Sequence, residues 1–122
     1  MWPAWLLIAL VAILHVAFMA AEMFAWTKIA PKVAGLPLPV AQATEALGKN
    51  QGLYNGFLAA GLIWSLGWPA PTFDAHLAVF FLICVLAAGV FGALTLKPIN
   101  RGLLLAQALP ALCALIALWL RA

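Results

Sequence analysis

The chain has 122 residues, of which 68% are hydrophobic and 7% charged, with a net charge of +3 and a mean hydropathy of +1.15. A soluble domain carries roughly 25% charged residues, so this composition excludes an ordinary water-facing globule. It also excludes a nucleic-acid binder, which needs a basic face on a soluble surface, and a disulfide framework, since Cys84 and Cys113 both lie inside apolar runs.

A membrane helix needs about 20 mostly apolar residues, and the chain has room for four with short links. The fold class expected is therefore all-α: a polytopic integral membrane protein, a single domain over residues 1–122 forming a bundle of four transmembrane helices.

The first helix is expected over about 4–26. Pro3 suits a first helical turn, where a missing N–H is tolerated. Met1–Trp5 lacks the Lys or Arg of a signal peptide, and residues 18–21 offer no small-x-small cleavage site. The segment is apolar except for His15 and Glu22, which are seven residues apart and share one helix face. Trp2, Trp5 and Trp26 are placed as interfacial anchors.

Residues 27–49 form the longest link, broken by Pro31, Pro37 and Pro39. Within it, residues 40–47 are helix-permissive. They either lie along the membrane surface before a bend at Gly48, or extend the second helix into water.

The second helix is expected over about 50–67. Gly52, Gly56 and Ala60 recur every four residues, a stripe that lets a neighbouring backbone approach closely. Asn50, Gln51, Tyr54 and Asn55 form a polar stripe beside it, facing the bundle interior. Thr72 or Asp74 can cap the third helix, about 74–96, whose Gly89 and Gly92 give it a second close-packing face. The fourth helix, about 103–119, carries Gln107 near its start. Pro110 inside it removes a hydrogen bond to the Ala106 carbonyl.

Five of the six Lys and Arg residues flank these helices on one side: Lys28, Lys32 and Lys49 in the first link, Lys97 and Arg101 in the last. Only Arg121 lies on the other side. The positive-inside rule then makes the links 27–49 and 97–102 cytoplasmic and puts both termini outside, in a bacterial inner membrane.

At this depth assignment Glu22, Asn50, Gln51, Tyr54, Asn55, Thr95 and Gln107 fall near one level in the cytoplasmic half, with His15 roughly 10 Å deeper. A carboxylate at a helix centre costs about 2.5–3.5 kcal/mol on insertion scales, so Glu22 is expected to face an interior partner. The plainer reading is that it snorkels to the interface or pairs with Lys28 or Arg101. Asn50, Gln51, Asn55 and Gln107 taken singly are interhelical glue; taken together they form a pocket. Asp74 and His76 read as cap and outer surface. No phosphate loop, nucleophile motif or zinc spacing occurs, so no cofactor and no metal is expected. His15 and Glu22 are too far apart along the axis to share an ion.

Glu22–Trp26, the stretch Asn50-Gln51-Gly52-Leu53-Tyr54-Asn55-Gly56-Phe57-Leu58-Ala59, the pair Gly89 and Gly92, and Gln107–Ala111 together resemble the small bacterial membrane-protein family catalogued as domain of unknown function 1304. The likeness runs over nearly the whole chain in the same order. It implies a four-helix integral membrane protein and implies no activity.

The leading functional reading is binding or permeation of a small amphipathic or cationic molecule, with Glu22 as counter-charge and Tyr54 as an aromatic wall. The alternative is an intramembrane enzyme acting on a lipid or isoprenoid, with Glu22 and His15 or Tyr54 as acid and base. A further alternative is an accessory subunit whose polar groups only hold helices together. The partners expected are the lipid bilayer and a small-molecule or lipid ligand, with a homo-oligomer left open.

Overall fold

The computed structural model describes residues 2–68, 72–95, 102 and 104–121. The described residues form helices and no strand: α1 (Trp2–Phe24), α2 (Trp26–Val33), α3 (Leu38–Ala43), α4 (Glu45–Ser65), α5 (Ala75–Thr95), a π-helical turn (Leu104–Ala108) and α6 (Leu109–Trp119). Pro3–Phe24 and Ala75–Thr95 are long and apolar enough to cross a membrane; Leu105–Trp119 is apolar but shorter. Large side chains such as Leu6, Ile13, Phe80, Ile83, Phe91 and Ile116 are exposed along these helices. An apolar exterior of that extent points to membrane association.

The helix seams follow a 4–3 spacing. On α1 the buried positions Ala4, Ile8, Val11, His15 and Glu22 follow it, with Ala12 beside them; on α4 Gly48, Gly52, Asn55, Ala59 and Leu62 do, with Gly61 and Ser65 also buried. A repeat of 3.5 residues keeps one face towards a neighbour crossing at a shallow angle. The α1–α4 seam is the most extensive, and α5 and α6 close the bundle against it. The core is built of Ile8, Val11, Leu62, Leu82 and Val85 among alanines such as Ala12, Ala78, Ala111 and Ala114.

Glycine lets α4 come close. A Cβ at Gly52 would lie 2.7 Å from Met23 Cγ and 3.0 Å from the Met19 carbonyl oxygen; one at Gly56 would lie 2.6 Å from Met19 Sδ. Ala60, the third member of the sequence stripe, is exposed, and Ala59 takes the buried place. The spacing that packs is therefore 4–3 rather than 4–4.

The first helix ends earlier than the hydropathy suggests. Ala25, at φ −138° and ψ 23°, leaves the helical region, and α2 starts at Trp26. The cause lies across the seam. The Trp26 indole N–H donates to Thr44 Oγ1 at 3.1 Å, and its ring lies where a Cβ on Gly48 would collide with it. Gly48 is thus a seat inside α4, not a bend.

The proline-rich link is largely helical. Pro31 sits near the end of α2, which stops two residues later. Gly35, at φ 66°, turns the chain so that the Leu36 N–H reaches back to the Ala30 carbonyl at 3.4 Å. Pro39 lies in the first turn of α3, where it is tolerated. At Thr44 the chain divides the two sequence readings of residues 40–47. Leu38–Ala43 is a separate short helix, and Glu45–Leu47 extend α4.

Asp74 caps α5, its Oδ1 accepting from the Leu77 N–H at 3.0 Å. Before it, Gly67 has φ 101°, and the Asp74 N–H donates to the Ser65 carbonyl at 2.9 Å. The last helix starts as a π turn rather than as regular α-helix. Pro110, second in α6, cannot donate to the Ala106 carbonyl, and a wide turn is one way a helix accommodates that loss. Gly89 of α5 packs on this turn: a Cβ there would lie 2.8 Å from the Ala108 backbone nitrogen. Most of the link 97–102, with Lys97 and Arg101, lies outside the described residues.

Candidate functional site

Glu22 is 9% exposed on the face of α1 that meets α4. Its Oε1 accepts a hydrogen bond of 2.7 Å from Asn55 Nδ2. The short asparagine reaches because Gly52, one turn before it, holds the backbones together; a Cβ on Gly52 would lie 3.1 Å from Glu22 Cβ. The other oxygen, Oε2, is buried and has no hydrogen-bond partner. Gln51 approaches the same carboxyl from the exposed side of α4 without closing a well-formed bond.

His15 is fully buried two turns away. Its Nδ1 lies 2.8 Å from the Val11 carbonyl and its Nε2 lies 3.2 Å from Gln107 Nε2. A carbonyl can only accept, so Nδ1 carries the proton. Nε2 is then the acceptor, and Gln107 donates to it. The His15 ring is neutral in this arrangement and both of its nitrogens are engaged. The π turn presents Gln107 to α1 at this level.

Between the two pairs stand Phe18, edge-on to the His15 ring at 5.2 Å, and Met19, whose side chain lies over Gly56 and whose carbonyl faces Gly52. Of the eight polar residues singled out in the sequence, four come together, as two separate pairs rather than one cluster. Gln107 joins His15, not Glu22. Asn50 and Gln51 are exposed. Tyr54 is 65% exposed and stacks edge-on against Phe57 at 5.9 Å. Thr95 is exposed and returns its hydroxyl to the Phe91 carbonyl at 2.8 Å. Of the packing positions, Gly52 and Gly89 lie buried in tight seams, Gly56 lies under Met19, and Gly92 is half-buried.

Sequence reasoning missed the Trp26–Thr44–Gly48 contact. A Trp followed by a Gly far along the chain carries no local signal. Ser65, a polar group of the outer half in the sequence, is fully buried with its hydroxyl donating to the Leu62 carbonyl at 2.6 Å. Among the described residues no three His, Cys, Asp or Glu side chains converge. A groove between α1 and α4 is lined by Ala9, Ala12, Ile13, Val16, Ile63 and Leu66, all apolar, and does not include Glu22.

Chemically, the Glu22 carboxyl is an acceptor held in place on one oxygen, with the other buried and unpartnered. That second oxygen suits a hydrogen-bond donor or a cation. His15 has no unpartnered ring nitrogen.

No curated protein and no solved structure matches this chain. A family model described as "Protein of unknown function (DUF1304)" matches residues 9–119, which take in part or all of every helix described above. The chain belongs to that family.

Proposed function

We propose that the protein crosses the bacterial inner membrane four times and binds a small amphipathic or cationic molecule at Glu22. In this reading α1, α4, α5 and the segment 105–119 are the spans. Lys28, Lys32, Lys49, Lys97 and Arg101 lie on the cytoplasmic side and both termini lie outside. The first half of α4 is more polar than the other spans because it carries Glu45, Lys49, Asn50, Gln51 and Asn55.

The observation that carries the binding reading is the unpartnered Oε2 of Glu22. A carboxyl held only for helix association gains from bonding both oxygens, because a buried polar atom left alone costs about 1–3 kcal/mol. One Asn bond leaves that cost in place. A ligand ammonium or hydroxyl at Oε2 removes it. His15, with both nitrogens engaged, belongs to the frame in this reading.

The test is mass spectrometry of what co-purifies with the protein in mild detergent. A discrete species retained by the wild type and by Tyr54→Phe, but lost from Glu22→Gln and Asn55→Ala, supports binding at Glu22. If only bulk lipid appears and the variants differ only in stability, the Glu22–Asn55 pair is structural and the reading fails.

A further inference from the structure

Helix α2 leaves two cations with no use inside the bundle. Lys28 and Lys32 are one turn apart, both exposed, on the side of α2 away from the buried Ala30. Neither has an ion-pair partner among the described residues. The acid on α4, Glu45, is taken by Lys49 at 3.7 Å. Beside them, at the corner where α2 passes into α3, Val33 is 71% exposed and Leu38 and Val40 are exposed as well. These apolar residues belong to neither of the long apolar helices, so the spans do not account for their exposure.

The corner is also tied to α4. The Trp26 indole is bonded to Thr44 and its ring is seated on Gly48, which ties the start of α2 to the junction of α3 and α4. Short helices carrying exposed lysines beside exposed apolar side chains, fixed at the end of a membrane span, have the make-up of an interfacial element. Lysines at that depth attract anionic headgroups, each contributing on the order of fivefold in binding.

We infer that the α2–α3 corner is a docking surface for anionic phospholipid: Lys28 and Lys32 bind the headgroup phosphates, and Val33, Leu38 and Val40 enter the acyl boundary. The inference rests on the membrane reading above and is independent of what binds at Glu22.

The test reconstitutes the full chain into nanodiscs of phosphatidylcholine alone and of equal parts phosphatidylcholine and phosphatidylglycerol. Lipids released with the protein are then counted by native mass spectrometry. The wild type is expected to retain phosphatidylglycerol over phosphatidylcholine severalfold, with the enrichment falling as salt rises. Lys28→Gln with Lys32→Gln is expected to abolish most of that enrichment, and Lys28→Arg with Lys32→Arg to keep it. Arg121→Gln, at the far end of the chain, should leave it unchanged. Enrichment that survives the double Gln variant overturns the inference. So does an equal loss in Arg121→Gln, which would make the effect one of net charge alone. A wild type that inserts into phosphatidylcholine without preferring phosphatidylglycerol also overturns it while leaving the membrane reading standing. Failure to insert into either nanodisc overturns both.

Discussion

Asn55 donates from Nδ2 to Oε1 of Glu22 at 2.7 Å, across the seam between α4 and α1. This bond joins residues 33 apart in sequence and is closed where the two backbones approach closely, beside Gly52. It orients the carboxyl and leaves Oε2 buried without a partner.

Removing the donor should therefore destabilise the fold modestly. Asn55→Ala is expected to lower stability by about 0.6 kcal/mol and by no more than about 1.7, the average and maximum measured for interhelical hydrogen bonds in a membrane protein. Glu22→Gln should perturb less, since its amide can keep an acceptor towards Asn55. A double-mutant cycle in detergent unfolding checks this. A coupling energy indistinguishable from zero would mean the bond contributes nothing.

The glycine seats should differ in severity according to what they face. Gly89→Ala meets the backbone of Ala108, which cannot rotate away, whereas Gly56→Ala meets the flexible end of Met19. Overpacking against fixed atoms costs typically 1–3 kcal/mol. Gly89→Ala should lose that much and Gly56→Ala clearly less. Thermal melts of the two variants in one detergent give the order directly.

Trp26 and Gly48 should behave as one unit. Gly48→Ala places a methyl into the indole ring and is expected to destabilise, while Trp26→Ala removes the obstacle together with the bond to Thr44. In the double variant the two losses should be less than additive by at least about 0.5 kcal/mol. Strict additivity would show that the ring does not rest on Gly48.

The tautomer of His15 is open to direct observation. Nitrogen NMR of the labelled protein is expected to show a neutral ring protonated at Nδ1, because the Val11 carbonyl can only accept. Gln107→Leu should leave that tautomer in place while shifting the Nε2 resonance, as its donor is lost. A ring protonated at Nε2 alone would contradict the Val11 bond.

Much of this was legible in the chain. Helical character and apolarity follow from local sums: long runs without charge, few strand-like alternations, and prolines that mark the links. The Asp74 cap is likewise local, since a carboxylate three residues before a free N–H needs no distant partner. Glu22, His15, Asn55 and Gln107 stood out because polar groups are rare in such runs.

Which of them meet was decided only in three dimensions. A polar residue on a helix does not say how that helix is rotated about its axis or how it is slid against its neighbour. Both are set by distant close packing: Gly52 and Ala59, not Ala60, face α1, which turns Asn55 inward and Tyr54 outward. The π turn before Pro110 alters the register of the last helix and brings Gln107 to His15 rather than to Glu22. The break at Ala25 has the same kind of cause, because Trp26 is drawn to Thr44 and Gly48, 18 and 22 positions further on. Composition and periodicity are properties of neighbours in the chain and so determine the elements; rotation, register and pairing depend on steric fit between residues far apart in it.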